Sequence, residues 1–393
     1  MTHKQRLLAA CRGQVPDRIP WVPRLDLWHK ANARAGIRPG GPAHFHGMSL
    51  RELTDALGVG YHAVVPDFRD LRSPDDDIDR GLGIYRLRTM PCETHLREVE
   101  REVRVIGDTT HVTYHTPVGA VSSAFAFTEE MERAGVTITW IKEHVLKTPA
   151  DLPALEFIFS HLEVVPTHAQ YRAWQDWVGD AGVAVAYGNS GAGPMHHILH
   201  DLMDPTEFFL ALHDYPEQLA SLCAAMEYWF RAMFAALVSS PAEVIFFGAN
   251  YDAVITYPPF FEQHLLPWLT ELAALAHQQD KLLLTHTDGE NQGLLPLYRR
   301  AGFDIADSLC PAPMTKLTLA EALAGLPGIT IWGGIPAVAL LEEAMPEADF
   351  NRLLNETLSL VAGRPHFILG IADTTPIAAS WGRIERITER VAV

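Results

Sequence analysis

The stretch Lys281-Leu-Leu-Leu-Thr-His-Thr-Asp-Gly-Glu-Asn291 has the pattern on which our prediction of the fold is based. Its first seven residues form a short, almost continuously apolar run that ends in polar residues, which is typical of a strand buried on both faces of a parallel sheet. Amphipathic stretches such as 260–279 separate this run from similar ones, so strands alternate with helices. The similar runs in the second half of the chain lie at 243–250, 303–309, 330–335 and 366–373.

Three further candidate strands lie at 18–25, 62–67 and 183–188, which brings the total to eight. Eight strands that alternate with helices predict an α/β protein built as a single (β/α)8 TIM barrel. A chain of 393 residues is long enough for several domains. No linker, repeat or low-complexity tract marks a boundary, so we expect one barrel domain over residues 1–393.

The N-terminal half contains a region with a different pattern, at about 85–120. Residues 85–89, 97–106 and 110–118 alternate polar and apolar side chains, as exposed antiparallel strands do. We therefore expect a β-rich insertion at one end of the barrel, followed by helices over about 128–178.

Composition and charge exclude several classes of protein. The chain is 48% hydrophobic and 20% charged, as ordinary globular proteins are. Its 31 Lys and Arg against 48 Asp and Glu give a net charge of −17, which repels nucleic acids and anionic membranes. The four cysteines lie far apart, and neither a secretory signal nor an apolar run of about 20 residues occurs, so we expect a cytoplasmic protein without membrane association.

Polar side chains at the ends of the predicted strands are the candidate site. His286 and Asp288 are two residues apart on an extended segment, so they face the same side. Asp373 ends the last predicted strand and lies at the same, carboxyl-terminal rim of a barrel, where active sites are found. The three side chains predict either a divalent metal site with an open position or an acid–base pair.

Other residues near this rim are candidates for contacts with a substrate. Asn250, Tyr251 and Asp252 follow the strand at 243–250, and Arg24 follows the first strand. Trp332 and other tryptophans would supply apolar walls. Two adjacent histidines, at 196 and 197, cannot share one helix face, so we expect at most one of them to face the site.

Four segments resemble the uroporphyrinogen decarboxylase superfamily, which includes the zinc-dependent corrinoid methyltransferases. They are the opening RLLAACRGQVPDRIP at 6–20, YPPFFEQHLLPW at 257–268, the strand that carries His286, and IADTTP at 371–376. The resemblance implies a (β/α)8 barrel over nearly the whole chain.

Departures from the family pattern distinguish its branches. The decarboxylases carry an arginine-rich segment after the first strand, whereas residues 23–28 read PRLDLW and retain only Arg24. In the methyltransferase branch a His-X-Cys pair and a distant Cys hold zinc. His286 matches that histidine, Asp288 takes the place of the first cysteine, and Asp373 is the nearest candidate for the distant one. The chain thus resembles a His-X-Asp-Gly branch with a harder metal site.

The resemblance implies a methyltransferase of the corrinoid-linked type. We expect a divalent metal held by His286, Asp288 and Asp373, with zinc (Zn2+) as the candidate, although the motif with two carboxylates in place of thiolates no longer implies zinc by itself. The metal would activate a thiol or polarise a methyl donor, and Arg24 would orient an anionic substrate group. Asn250, Tyr251, Asp252 and Trp332 would line the substrate pocket. Expected partners are a small-molecule substrate, a corrinoid protein and a second copy of the chain in a homodimer.

Two alternatives stay open. The first is a decarboxylase or lyase that acts on a carboxylate substrate without a metal. In that enzyme Asp288 or Asp373 would be the general acid, and Arg24 would hold the substrate carboxylate. The second is a corrinoid or tetrapyrrole binder without catalytic activity.

Overall fold

The computed structural model describes residues 1–34 and 47–392 of the chain. Its strands fall into a parallel sheet, an antiparallel sheet and a separate antiparallel pair. In chain order the strands are β1 (Cys92–Leu96), β2 (Glu100–Ile106), β3 (Thr109–Thr116), β4 (Gly119–Ala126), β5 (Trp140–Glu143), β6 (Leu162–Pro166), β7 (Val185–Asn189), β8 (Val244–Phe247), β9 (Leu282–His286), β10 (Ile305–Leu309), β11 (Thr330–Pro336) and β12 (Phe367–Ala372).

Helices precede the parallel sheet and connect its strands. In chain order they are α1 (His3–Cys11), α2 (Asp26–Arg34), α3 (Leu50–Leu57), α4 (Glu129–Arg133), α5 (Leu152–Ser160), α6 (His168–Val178), α7 (Pro194–His197), α8 (Pro205–Asp214), α9 (Pro216–Ser239), α10 (Pro258–Phe260), α11 (Leu266–Gln278), α12 (Leu295–Ala301), α13 (Leu319–Gly325), α14 (Glu347–Val361) and α15 (Trp381–Ala392). Capping boxes begin several of them, for example the reciprocal bonds of Ser49 and Glu52 at α3.

The parallel sheet is the core of the molecule. Its six strands lie in the order β12-β11-β10-β9-β8-β7, so each strand pairs with its neighbours along the chain. Every residue of these strands is buried, as the apolar runs in the sequence predicted. Burial on both faces follows from the connecting helices, and parallel order places all six carboxyl ends at one edge of the sheet.

The described residues form an α/β structure in which six of the eight predicted strands are present as a parallel sheet, and they do not show a single eight-stranded barrel. Residues 18–25 and 62–67 are not strands, apart from one isolated bridge at Trp21. Both segments contain prolines, at positions 20, 23 and 66, which lack the N–H that a strand donates to its neighbour.

These two irregular segments nevertheless lie against the edges of the parallel sheet. Trp21 forms its bridge with Leu369 of β12, and the amide of Gly60 donates to the carbonyl of Trp21 at 2.9 Å. On the opposite edge, the amide of Val185 in β7 donates to the carbonyl of Ala63 at 3.0 Å. A pair of hydrogen bonds between Leu369 and the residues on either side of Trp21, and isolated bonds elsewhere, replace the ladders that two regular strands would make.

The predicted antiparallel strands are present in the N-terminal half. Strands β2 to β5 form a four-stranded antiparallel sheet in chain order, and β1 pairs with β6. The patterns at 97–106 and 110–118 correspond to β2 and β3, and all residues of β2 are exposed. Residues 85–89 are not a strand, and β5 and β6 interrupt the region at 128–178 that was predicted to be helical.

Helix α9 is long and apolar enough to cross a membrane by length and composition alone. Its buried residues include Leu222, Trp229, Phe230 and Phe234, which belong to the main hydrophobic core. A core helix with this composition meets the same criterion.

Candidate active site

Three of the predicted ligands meet beyond the carboxyl ends of β9 and β12. His286 is the last residue of β9, and Asp373 directly follows β12. The imidazole Nε2 of His286 lies 3.7 Å from Oδ1 of Asp288 and 3.9 Å from Oδ1 of Asp373. One ligand atom from each of the three residues lies within 4.8 Å of the other two.

The turn after β9 brings Asp288 back towards His286. Gly289 has a φ of 105°, a conformation that side chains rarely adopt. A Cβ at this position would lie 2.6 Å from the carbonyl oxygen of Tyr251. Glycine therefore allows the chain to turn sharply directly after Asp288.

Backbone strain is concentrated at the same edge of the sheet. Asn250, Ser308 and Asp373 follow or end β8, β10 and β12, and each has a φ of about 60° without being glycine. Such conformations cost about 1–3 kcal/mol each and tend to occur at functional sites.

Asp307, which the sequence reasoning missed, orients His286. The two residues are register partners on β10 and β9, and Oδ2 of Asp307 lies 2.7 Å from Nδ1 of His286. Both side chains are buried. A proton on Nδ1 that is donated to Asp307 leaves Nε2 directed towards Asp288 and Asp373, which is how metal-binding histidines are usually held.

The carboxylates determine the protonation of His286. Burial lowers the pKa of this imidazole, but Asp288, Asp307 and Asp373 together raise it to about 9. Burial also raises the pKa of Asp288. Oδ1 of Asp288 is inaccessible to solvent and has no hydrogen-bond partner among the described residues. A buried carboxylate oxygen without a partner is costly, and it is an available ligand.

The three residues fit a single divalent ion. Zinc binds histidine nitrogen and carboxylate oxygen at about 2.0–2.2 Å, so two of its ligand atoms lie at most about 4.4 Å apart. The separations of 3.7 and 3.9 Å from His286 satisfy this limit. The group lies within 4.8 Å as a whole, so at most a small carboxylate rotation is needed.

Arg24 pairs with two carboxylates of the site. Its Nη1 donates to Oδ1 of Asp373 at 3.1 Å, and its Nε lies 3.3 Å from Oδ1 of Asp26. Burial opposes the charge on Asp26, but Arg24 holds the pKa of that carboxyl below its usual value. The guanidinium lies between two protein carboxylates and also lines the cavity, and its role in orienting an anionic substrate group stays a prediction.

A cavity of about 340 Å³ adjoins the three predicted ligands. This volume lies at the lower end of the range of small-molecule pockets. Phe68, Tyr187 and Phe246 supply aromatic wall, and Asn250 lines the cavity as predicted. The polar and charged side chains in its wall include Arg24, His200, Asn250, His286, Asp288 and Asp373.

Three predicted pocket residues do not line this cavity. The hydroxyl of Tyr251 is buried and lies 2.7 Å from the hydroxyl of Thr285, and burial raises the pKa of the phenol. The carboxylate of Asp252 accepts backbone amides, among them that of Val254 at 2.7 Å, and so stabilises its own loop. Trp332 is buried within β11.

Neither histidine at 196 or 197 lines the cavity, and His200 does so instead. His200 lies on a π-helical turn, Ile198–Leu202, which the 3.6-residue period does not predict.

Comparisons with known proteins do not assign the chain to a family. No protein-family model and no curated protein matches it. Among solved structures, the chain is similar to a methyltransferase from Methanosarcina mazei, with 14% identity, full coverage of both chains and a TM-score of 0.49. At this identity and TM-score the likeness supports no conclusion about activity.

Proposed function

We propose that the protein is a divalent-metal-dependent methyltransferase in which His286, Asp288 and Asp373 hold a zinc ion. The observation that carries the proposal is the meeting of these three side chains at the wall of one cavity. Methyl transfer is the activity implied by the resemblance to the corrinoid methyltransferases. One imidazole nitrogen and two carboxylate oxygens are suitable ligands for the metal.

Asp307 and Arg24, which contact the three proposed ligands, each have a role in this proposal. Asp307 holds one proton of His286 on Nδ1, so loss of the other proton leaves Nε2 free to bind. Arg24 pairs with Asp373 and offsets part of the negative charge. When bound, the ion would lower the pKa of a thiol or polarise a methyl donor.

The charges of the cavity disfavour the decarboxylase alternative. Arg24 is the only arginine or lysine among the described residues that line the cavity. The charge of Arg24 is already paired with Asp26 and Asp373, and that of a protonated His286 is paired with three carboxylates. An anionic substrate would meet Asp288 and Asp373 instead.

The size of the cavity disfavours a binder that encloses a whole tetrapyrrole. A volume of about 340 Å³ accepts a small molecule. A corrinoid, free or held by a partner protein, would present its methyl group at the mouth of this cavity. We extend the proposal accordingly to a corrinoid protein as the partner in methyl transfer.

The test is methyl transfer from methylcobalamin to a panel of small thiols, such as 2-mercaptoethanol, cysteamine and homocysteine. The absorbance change on loss of the cobalt–methyl bond gives the rate. We expect activity that a chelator abolishes, that added zinc restores, and that H286A lacks. Thiol methylation that survives exhaustive chelation would contradict the metal role, and no transfer with any thiol would contradict the methyltransferase.

The matched control is H213Q. His213 is an exposed histidine near the end of α8, outside the cavity lining. This variant should retain both zinc and activity, whereas H286A should lose both.

A further inference from the structure

His200 is held at the cavity wall by a chain of buried polar contacts. Nη1 of Arg80 donates to Oδ1 of Asp201 at 2.6 Å, and Oδ2 of Asp201 lies 3.0 Å from Nδ1 of His200. Both Arg80 and Asp201 are buried, whereas His200 reaches the cavity. On the far side of the imidazole, Nδ2 of Asn250 lies 3.1 Å from Nε2.

Asp201 is ionised in this arrangement. Burial raises its pKa, but His200 and Arg80 outweigh burial, and the pKa of this carboxyl stays well below its usual value. An ionised carboxylate accepts the Nδ1 proton of His200. The neutral imidazole then keeps its lone pair on Nε2, where the amide of Asn250 donates to it.

The neighbouring histidines do not have this arrangement. Nδ1 of His196 accepts the amide of Ala192 at 3.0 Å, and Nε2 of His197 lies 2.9 Å from the carbonyl oxygen of Leu82. Burial lowers the pKa of both imidazoles, so they stay neutral. Of the three, His200 is the one hydrogen-bonded to the carboxylate of Asp201 and exposed to the cavity.

We infer that His200 is a catalytic acid–base residue of this cavity, and that Asp201, Arg80 and Asn250 are positioning residues. An imidazole oriented by a carboxylate, with its other nitrogen directed to the reacting group, is the arrangement that general bases use. The assignment of a reaction to His200 rests on the proposed methyl transfer, whereas its orientation does not.

In that reaction the amide of Asn250 gives up its hydrogen bond to Nε2, and His200 takes the proton of a thiol acceptor. The S–H bond breaks, its proton moves to Nε2, and its electron pair stays on sulfur. That pair forms the S–CH3 bond while the bond between the methyl group and a methylcorrinoid donor breaks and its electron pair leaves on the corrinoid. Asp201 stabilises the imidazolium, which returns its proton to water after the product leaves.

The first experiment reads the orientation without any activity. Nitrogen-15 NMR of histidine-labelled protein gives the tautomer of each neutral imidazole, and the signal absent from H200Q identifies His200. We expect the Nδ1–H tautomer, and D201N should weaken this preference. A proton on Nε2 in the neutral wild-type imidazole would overturn the inference.

The second experiment reads the role in thiol methylation. H200Q should lower kcat by about 10²–10⁴-fold and remove one limb of the pH–rate profile, and zinc content should remain at the wild-type level. Imidazole added to H200A should restore part of the rate, and H213Q should behave as wild type. The groups that share this environment with His200 are Asp201, Arg80, His196 and His197.

A rate for H200Q within about threefold of wild type, with the same pH profile, would also overturn the inference. A wild-type protein that methylates none of the thiols would contradict the proposed function. The tautomer measurement would still decide the orientation of His200 in that case.

Discussion

Asp307 offers a graded test of how the proposed metal site is built. Its carboxylate lies 2.7 Å from Nδ1 of His286, and both side chains are buried. A buried hydrogen bond to a charged group contributes about 1.5–3 kcal/mol, and about 1.4 kcal/mol corresponds to a tenfold change in an equilibrium constant. Losing this bond should therefore weaken zinc binding by about 10–100-fold.

Two variants separate the contribution of the charge on Asp307 from that of its hydrogen bond to His286. In D307N an amide oxygen can still accept the Nδ1 hydrogen but carries no charge, so zinc affinity should fall by about tenfold. In D307A the acceptor is removed, and the loss should approach about 100-fold. Competition with a chromophoric chelator at fixed pH gives the dissociation constants.

Asp304 supplies the matched control. It lies 2.9 Å from Nε2 of His277, a carboxylate–imidazole pair on the approach to the same strand but outside the cavity lining. D304N should leave zinc affinity unchanged. If the zinc affinity of D307A lies within about threefold of wild type, or if D304N loses as much zinc affinity as D307A, then Asp307 does not support the site as described.

Three further predictions follow from the same contacts. Zinc affinity should rise about tenfold per pH unit up to about pH 9, since a proton on His286 must leave before the metal binds. Calorimetry that shows no pH dependence of zinc affinity below pH 9 would contradict this expectation. R24M should destabilise the fold by roughly 1–3 kcal/mol, measured by denaturant titration, because a buried partner of Asp373 is lost. The same variant should bind zinc more tightly in chelator competition because a positive charge is removed, and weaker zinc binding would contradict this expectation. Y251F should cost about 1 kcal/mol of unfolding free energy through loss of the bond to Thr285 and leave zinc affinity unchanged, whereas impaired zinc binding would place Tyr251 in the site after all.

The meeting of His286, Asp288 and Asp373 was accessible to sequence reasoning because it follows simple geometry. His286 and Asp288 are two residues apart at a strand end, and a parallel sheet places the end of the strand before Asp373 at the same edge. Asp307 was missed because its partner depends on the register between two strands, which sequence alone does not specify. The available signal was the polar residues Asp304, Asp307 and Ser308 within the predicted buried strand at 303–309.

Side-chain direction is where the sequence reasoning failed. Tyr251 directly follows Asn250, which lines the cavity, but one step along an extended chain reverses the face on which a side chain lies. Trp332 lies within β11, and its side chain is buried. The pairing of Arg24 with Asp373 depends on the meeting of two distant segments, which sequence alone does not specify. His200 escaped notice because it lies on a π-helical turn, where helical periodicity does not apply.

The most direct test is anomalous X-ray diffraction at the zinc edge from crystals of the full chain grown with one equivalent of zinc. We expect one strong peak about 2 Å from Nε2 of His286 and from carboxylate oxygens of Asp288 and Asp373. The peak should be absent from crystals of H286A grown in the same way. A peak elsewhere, or none in the wild-type protein, would show that these three side chains do not hold one metal ion.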